Sequence, residues 1–226
     1  NYRNIYIPAK NVKVYIDFWS LLKSEPKIKK SNLLLEELDI VELNKISKIL
    51  KPSNFKSLLN NKVKKGKLIS EIEIYLNDDG SLNNFIAKGE VKKLEANLIE
   101  NLNLTNANFS FFADRSDVLI KNIFGTIKNI NFSEGDIKLN LENGIKVNSN
   151  FNSDINLDEK FFNENIKFFR KPDFLNNIKN LKANFNNSFF IDFDDTFKVN
   201  NYNYKFSGQI NKNKLELSKP FKNSFV

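Results

Sequence analysis

The chain contains no cysteine, no histidine and no methionine, and its only arginines are Arg3, Arg115 and Arg170. The first two absences remove thiolate nucleophiles, the commonest general base and the commonest transition-metal ligands together. No glycine-rich phosphate loop and no serine elbow occurs either, so the sequence predicts a non-enzymatic protein without a cofactor. Lacking cysteine it has no disulfide framework, which leaves an oxidising compartment open. The missing methionine, and an opening Asn1-Tyr2-Arg3 with no basic-then-apolar leader, predict that these residues belong to a longer protein. No run approaches the roughly 18 to 20 apolar residues of a spanning helix, so a membrane anchor is expected outside them.

Of 226 residues 35 are basic and 27 acidic, a formal net charge of +8. Nucleic-acid readers lean on arginine forks, and here all but three of the basic residues are lysine. Nucleic acid is therefore not the expected partner. Asparagine occurs 39 times, and with abundant Lys, Ile and Phe this is what an AT-rich genome writes where residue identity is loosely constrained. Residues 1–66 carry 14 basic and 6 acidic residues and residues 67–226 carry 21 of each, so the whole excess lies in the first third.

What is present is alternation. A hydrophobic content of 41% is enough to bury a core, and from Lys67 onward the apolar residues recur with period two, the mark of strands with one dry face. Leu68, Ser70, Ile72, Ile74 and Leu76 form one such set. Others are Phe85, Ala87, Gly89 and Val91; Ile137, Leu139 and Leu141; Ile145, Val147, Ser149 and Phe151; and Tyr202, Tyr204 and Phe206. The segment Val118 to Ile127 is apolar on both parities, with Val118, Ile120 and Phe124 on one side, and is expected to be covered on both faces.

Turn chemistry predicts a meander. A three-residue loop Glu142-Asn143-Gly144, with Gly144 left-handed, sets Leu141 against Ile145 and Leu139 against Val147, whereas a two-residue loop pairs apolar with polar. A loop from Asn211 to Lys214 would likewise place Ile210 opposite Leu215. Helix signals are few. Asp39 with Glu42 fits a capping box and Leu38 with Leu43 its staple, ahead of a stripe of Leu43, Ile46, Ile49 and Leu50 stopped by Pro52. Phe55, Leu58 and Leu59 predict a second short helix, and Phe162, Ile166 and Phe169 another after Asp158, ending at Pro172. The organisation expected is residues 1–66 as short strands plus a basic helical pair, 67–157 as a one-sided strand array, 158–180 as a short helical segment and 181–226 as further strands.

Two charged clusters are candidate sites. Asp192, Asp194 and Asp195 form the densest carboxylate group and offer oxygen ligands to a hard cation, but no ligand-spaced partner accompanies them and a solvated face is the better reading. Asp78-Asp79-Gly80 and Asp114 to Asp117 read as turns. The lysines at 27, 29, 30 and 62–67 suit lipid phosphates, although a solvated surface is the simpler account. Trp19 and the phenylalanines read as core.

The order of these features resembles the AsmA-like superfamily of envelope proteins, which includes the TamB and YhdP families, and in particular a central domain of the YhdP type. The similarity rests on the helical piece from Leu38 to Asn61, Lys65-Gly66-Lys67 leading into Leu68 to Leu76, Phe85 to Leu94, the phrase Leu102 to Phe109, Val118 to Ile127, and Gly135-Asp136-Ile137-Lys138-Leu139. It covers about residues 38 to 157 and more loosely the rest. The resemblance implies a mainly β fold in which consecutive antiparallel strands form an open, curved, groove-like sheet with a few short helices. It implies a periplasmic protein anchored in the inner membrane of a Gram-negative bacterium, holding phospholipid acyl chains in transit between the two membranes. Phe85, Ala87, Val91, Ile137, Leu139, Leu141, Ile145, Val147 and Phe151 are the expected groove lining. The alternative is an interaction or scaffold module of the envelope, a closed β-sandwich filled by its own phenylalanines.

Overall fold

The computed structural model describes residues 9–42, 61–99, 102–142, 144–161, 178–194, 196 and 198–215. Within them the chain is mainly β: β1 (Ala9–Ile16), β2 (Ile28–Leu35), β3 (Leu38–Asp39), β4 (Val63–Leu76), β5 (Leu82–Ile99), β6 (Leu102–Ala113), β7 (Asp117–Ile127), β8 (Ile130–Asn140), β9 (Ile145–Asp158), β10 (Ile178–Phe193) and β11 (Val199–Leu215). All eleven strands belong to one antiparallel sheet that does not close into a barrel. The order along it is β1-β2-β4-β5-β6-β7-β8-β9-β10-β11, and β3 pairs β4 on the flank that β2 also uses. Strands from residues 1–66, 67–157 and 181–226 are thus hydrogen-bonded into a single surface.

The meander follows from local chemistry. Gly80 (φ 79°) and Gly144 (φ 77°) occupy left-handed turn positions. Gly144 sets Leu139 opposite Val147 and Asn140 opposite Lys146, the register in which apolar meets apolar. The loop expected at Asn211 to Lys214 does not form. There β11 runs straight on, Ile210 pairs with Ala183, and Leu215 with Ile178. The ladder offered by the 16 residues of β10 outcompetes a turn that asparagine and lysine only weakly specify.

A seam of bulges crosses the middle of the sheet. Lys93, Asn106, Asn122 and Glu134, one each in β5 to β8, take left-handed φ of 50° to 54° at points where the ladder register shifts. A bulge adds a residue, bends its strand and increases its twist. Ala107 is wholly buried beside the seam. A Cβ at Gly125 would lie 3.1 Å from that of Ala107, and a Cβ at Gly135 would lie 2.9 Å from that of Ile123. Such crowding leaves little room for a side chain at either glycine.

The bulge at Asn122 also corrects the expectation for Val118 to Ile127. Parity reverses there, so Ile123 (opposite Gly135) and Ile127 (opposite Ile130) follow Val118 and Ile120, while Phe124 sits opposite Asn108 on the other face and is exposed. No residue of β7 is fully buried, and the strand is not covered on both faces.

The short α1 (Phe18–Leu22) joins β1 to β2. Trp19 is not core but 69% exposed. Asp39 lies in β3 and pairs with Lys67 at 3.2 Å, and residues 40–42 form one 3-10 turn. The predicted helices over 43–59 and 162–169 fall outside the described residues, though Asp158 does accept the Phe161 backbone N–H at 2.8 Å as a helix cap would.

Candidate functional site

Residues directly opposite in an antiparallel pair share a face, and alternate residues along a strand share it too. The registers therefore trace rows across the sheet. One starts at Val12, Leu33, Ile72, Ala87 and Ala113 and continues through Val118, Leu139, Val147, Ile191 and Tyr202, spanning ten strands without a polar interruption before the final tyrosine. A second runs from Val63 and Ala96 through Leu104, Ile127, Ile130 and Ile155 to Ala183 and Ile210. Between them lies a row of Ser70, Gly89, Phe111, Ile120, Ile137, Ser149, Phe189 and Tyr204. None of these three rows carries an Asp, Glu, Lys or Arg.

The charges stand on the opposite face. Lys88 pairs with Glu71 at 3.0 Å, Lys92 with Glu90 at 3.0 Å, Lys121 with Asp136 at 3.5 Å and Lys138 with Asp117 at 4.0 Å. All are exposed pairs in which screening leaves little net stabilisation, so they serve to keep this side wet. The sheet is amphipathic across its width.

All but one of the residues expected to line a groove lie on the apolar face. Phe85, Ala87 and Val91 come from β5, Ile137 and Leu139 from β8, and Ile145, Val147 and Phe151 from β9, joined through the intervening strands. Leu141 follows the end of β8, donates its N–H to the Ser116 carbonyl at 2.8 Å and is partly exposed. Alternation alone missed the β6 and β10 contributions, Phe109, Phe111, Phe185 and Phe189, because Phe112 and Phe190 put an aromatic on the other parity beside them and Asn187 interrupts the apolar set between Phe185 and Phe189. Phe132, Phe151 and Phe189 stack edge to face at 5.4 and 6.2 Å, a cross-strand aromatic ladder.

Burial along the strands is graded. The buried apolar residues Leu35, Leu38, Leu68, Val91, Leu94 and Ala107 cluster away from α1, with Ile40 packed against them, and Leu157 and Ala183 lie toward the same end. Towards α1 the face is half-exposed, and on the outer strands Val12, Val14, Tyr202 and Phe206 are open to solvent. One polar knot interrupts the surface. Asn187 donates to Ser153 Oγ at 2.9 Å and accepts from the Tyr204 hydroxyl at 2.7 Å, so it is satisfied internally. Burial pushes the Tyr204 phenol up from its ordinary value.

Of the aspartates singled out in the sequence, Asp192 lies within β10, Asp195 falls outside the described residues, and Asp194, Asp79 and Asp114 serve turns. Asp194 Oδ1 accepts from the Thr196 hydroxyl at 2.6 Å and from the N–H groups of Thr196 and Lys198 at 2.8 and 3.0 Å. Asp79 does the same for Ser81, and Asp114 for the N–H groups of Ser116 and Asp117. Among the described residues no group of three or more acidic side chains is placed to hold a metal. Of the lysines suited to phosphate, Lys29 and Lys30 are engaged by Asp78 and Glu73, and Lys65 by Glu95 at 3.3 Å. No described helix is long and apolar enough to cross a membrane. No protein-family model matches the chain, nor does any curated protein or solved structure.

Proposed function

We propose that the apolar face is a lipid-holding groove, and that the chain is a segment of an AsmA-like bridge protein carrying phospholipid between the inner and outer membranes of the envelope. The observation that carries this reading is the set of rows free of Asp, Glu, Lys and Arg that runs through consecutive strands while every charge pair traced across them lies on the other side. A closed core fills its apolar surface with its own side chains; here the buried apolar side chains gather at the end of the sheet around Leu38 and Val91, and towards α1 the rows are half-exposed or open to solvent. An acyl chain sliding along a face needs continuous methyl and ring contacts and no tight polar anchor, so affinity per lipid is modest and spread over many residues. The bridge stands in the periplasm, anchored by a segment beyond these residues.

The test is site-specific photocrosslinking in the longer protein, with a probe at Leu139 and a control at Asn140. Lipid is expected on the Leu139 probe only, and Leu139→Asp is expected to fold, since its carboxylate stays partly hydrated in an open groove. No lipid at either position, together with collapse of the Asp variant through burial of an unpaired charge, would overturn the proposal in favour of a scaffold module whose face is covered by protein.

A further inference from the structure

Opposite the buried end of the sheet, the β1–β2 connection carries an apolar knuckle. In α1 the side chains of Phe18, Trp19, Leu21 and Leu22 are 54% to 69% exposed, and Phe18 and Trp19 stack edge to face at 5.8 Å. A helix of one turn projecting four large apolar side chains gains nothing from folding alone. We propose that this knuckle is a membrane-interface anchor, entering the headgroup–acyl boundary of an anionic bilayer.

Asp17 and Ser20 close the loop on itself. Asp17 Oδ2 caps the helix by accepting the Ser20 N–H at 2.8 Å, and Ser20 Oγ donates to the Asp17 carbonyl and accepts from Lys27 N–H at 2.8 and 2.9 Å. Glu25 N–H bonds the Ser20 carbonyl at 3.0 Å and Asp17 N–H bonds that of Lys27 at 2.9 Å. Ser20, at the centre of the tip, thus has its N–H, carbonyl and hydroxyl all paired within the loop, which lowers the cost of immersing the residues around it. Lys23 and Lys27 flank the tip with Glu25 between them; their long stems let the ammonium groups reach phosphates while Trp19 sits at headgroup level. Residues 1–66 also hold the whole excess of positive charge, which favours an anionic lipid surface. The turns at the same end of the sheet carry Asp79, Asp114 and Asp194, which confines contact to the knuckle at the β1 side. The inference is independent of whether the groove carries lipid.

Trp19 is the only tryptophan, so its fluorescence reports the knuckle directly. Two vesicle preparations are compared: phosphatidylcholine mixed with phosphatidylglycerol, and phosphatidylcholine alone. The expected result is a blue shift with the anionic vesicles and quenching by lipids brominated near the headgroup. The double variant Leu21→Asp with Leu22→Asp, its sheet intact by circular dichroism, should lower vesicle partitioning by about tenfold or more. Lys23→Gln with Lys27→Gln should remove the preference for anionic vesicles. Vesicle binding with Trp19 emission unmoved would overturn the proposal, as would no binding. Self-association abolished by the Asp pair, with emission indifferent to lipid, would overturn it in favour of a protein partner.

Discussion

The backbone N–H of Lys93 donates to Oδ1 of Asn108 across the β5–β6 ladder at 3.0 Å, replacing the ladder bond that a bulge removes. Asn108 holds the other side of the same irregularity, donating through Nδ2 to the Asn106 carbonyl at 2.9 Å. One strand further on, Asp136 Oδ1 accepts the N–H of the bulged Asn122 at 3.3 Å. Removing such a bond where water can partly substitute costs about 0.5 to 1.5 kcal/mol. Asn108→Ala should lose that much in urea melts. Asn106→Val should lose about 1 to 2 kcal/mol, because a β-branched residue resists a left-handed φ. Stability unchanged in both variants would show that the seam does not depend on these residues.

The parity switch at Asn122 makes neighbouring substitutions unequal. Phe124→Ser lies on the wet face and should stay within about 0.5 kcal/mol of the parent. Ile123→Ser, opposite Gly135 on the apolar face, should cost about 1 kcal/mol or more. Simple alternation from Val118 predicts the reverse order, so paired denaturant melts decide between them.

Gly89 faces Ser70 in the β4–β5 ladder, and a Cβ there would lie 2.1 Å from the Ile69 carbonyl oxygen and 2.9 Å from Ser70 Cα. Both obstacles are backbone, so Gly89→Ala must spread two strands and should cost about 1 to 3 kcal/mol. A thermal melt indistinguishable from the parent would refute this close approach.

Three aspartates link stability to pH. The Thr196 hydroxyl holds the Asp194 carboxyl below its ordinary range, the Ser81 hydroxyl does so for Asp79, and the Asp117 N–H does so for Asp114. A carboxyl lowered by folding stabilises fully above its unfolded pKa, about 4, and that contribution is lost as pH falls through the folded value. The chain should therefore lose stability as pH drops below about 4, and Asp114→Asn with Asp194→Asn should flatten that acid limb. An unaltered acid limb in the double variant would dissociate these turns from it.

Much of this architecture was legible in the residues. Period two placed Leu139 and Val147 on one face, and Gly144 set their register, because turn and pattern agreed. Where they were silent the reading went astray. A bulge inserts one residue without a glycine to announce it, since Asn122 tolerates left-handed φ unaided and Lys93 and Glu134 are forced into it. Phe124 was consequently put on the wrong side. Trp19 read as core because a lone tryptophan usually is, and only its place in a tip held closed by Asp17 and Ser20 exposes it. At Asn211 a polar run resembled a turn, yet the partner β10 was long enough to keep β11 extended.

Apart from the short β3, each strand bonds only to its neighbours in sequence, and among the described residues β1 and β11 have a single neighbour each. No closure condition ties the two ends, so strand number is not fixed by geometry as it is in a barrel. Duplicating or deleting one hairpin, two strands at a time, would preserve every other register and the identity of the dry face. Length is thus a quantity that selection can adjust independently of fold, in the manner of a repeat array, and a span can be matched to a distance without redesigning the surface that covers it.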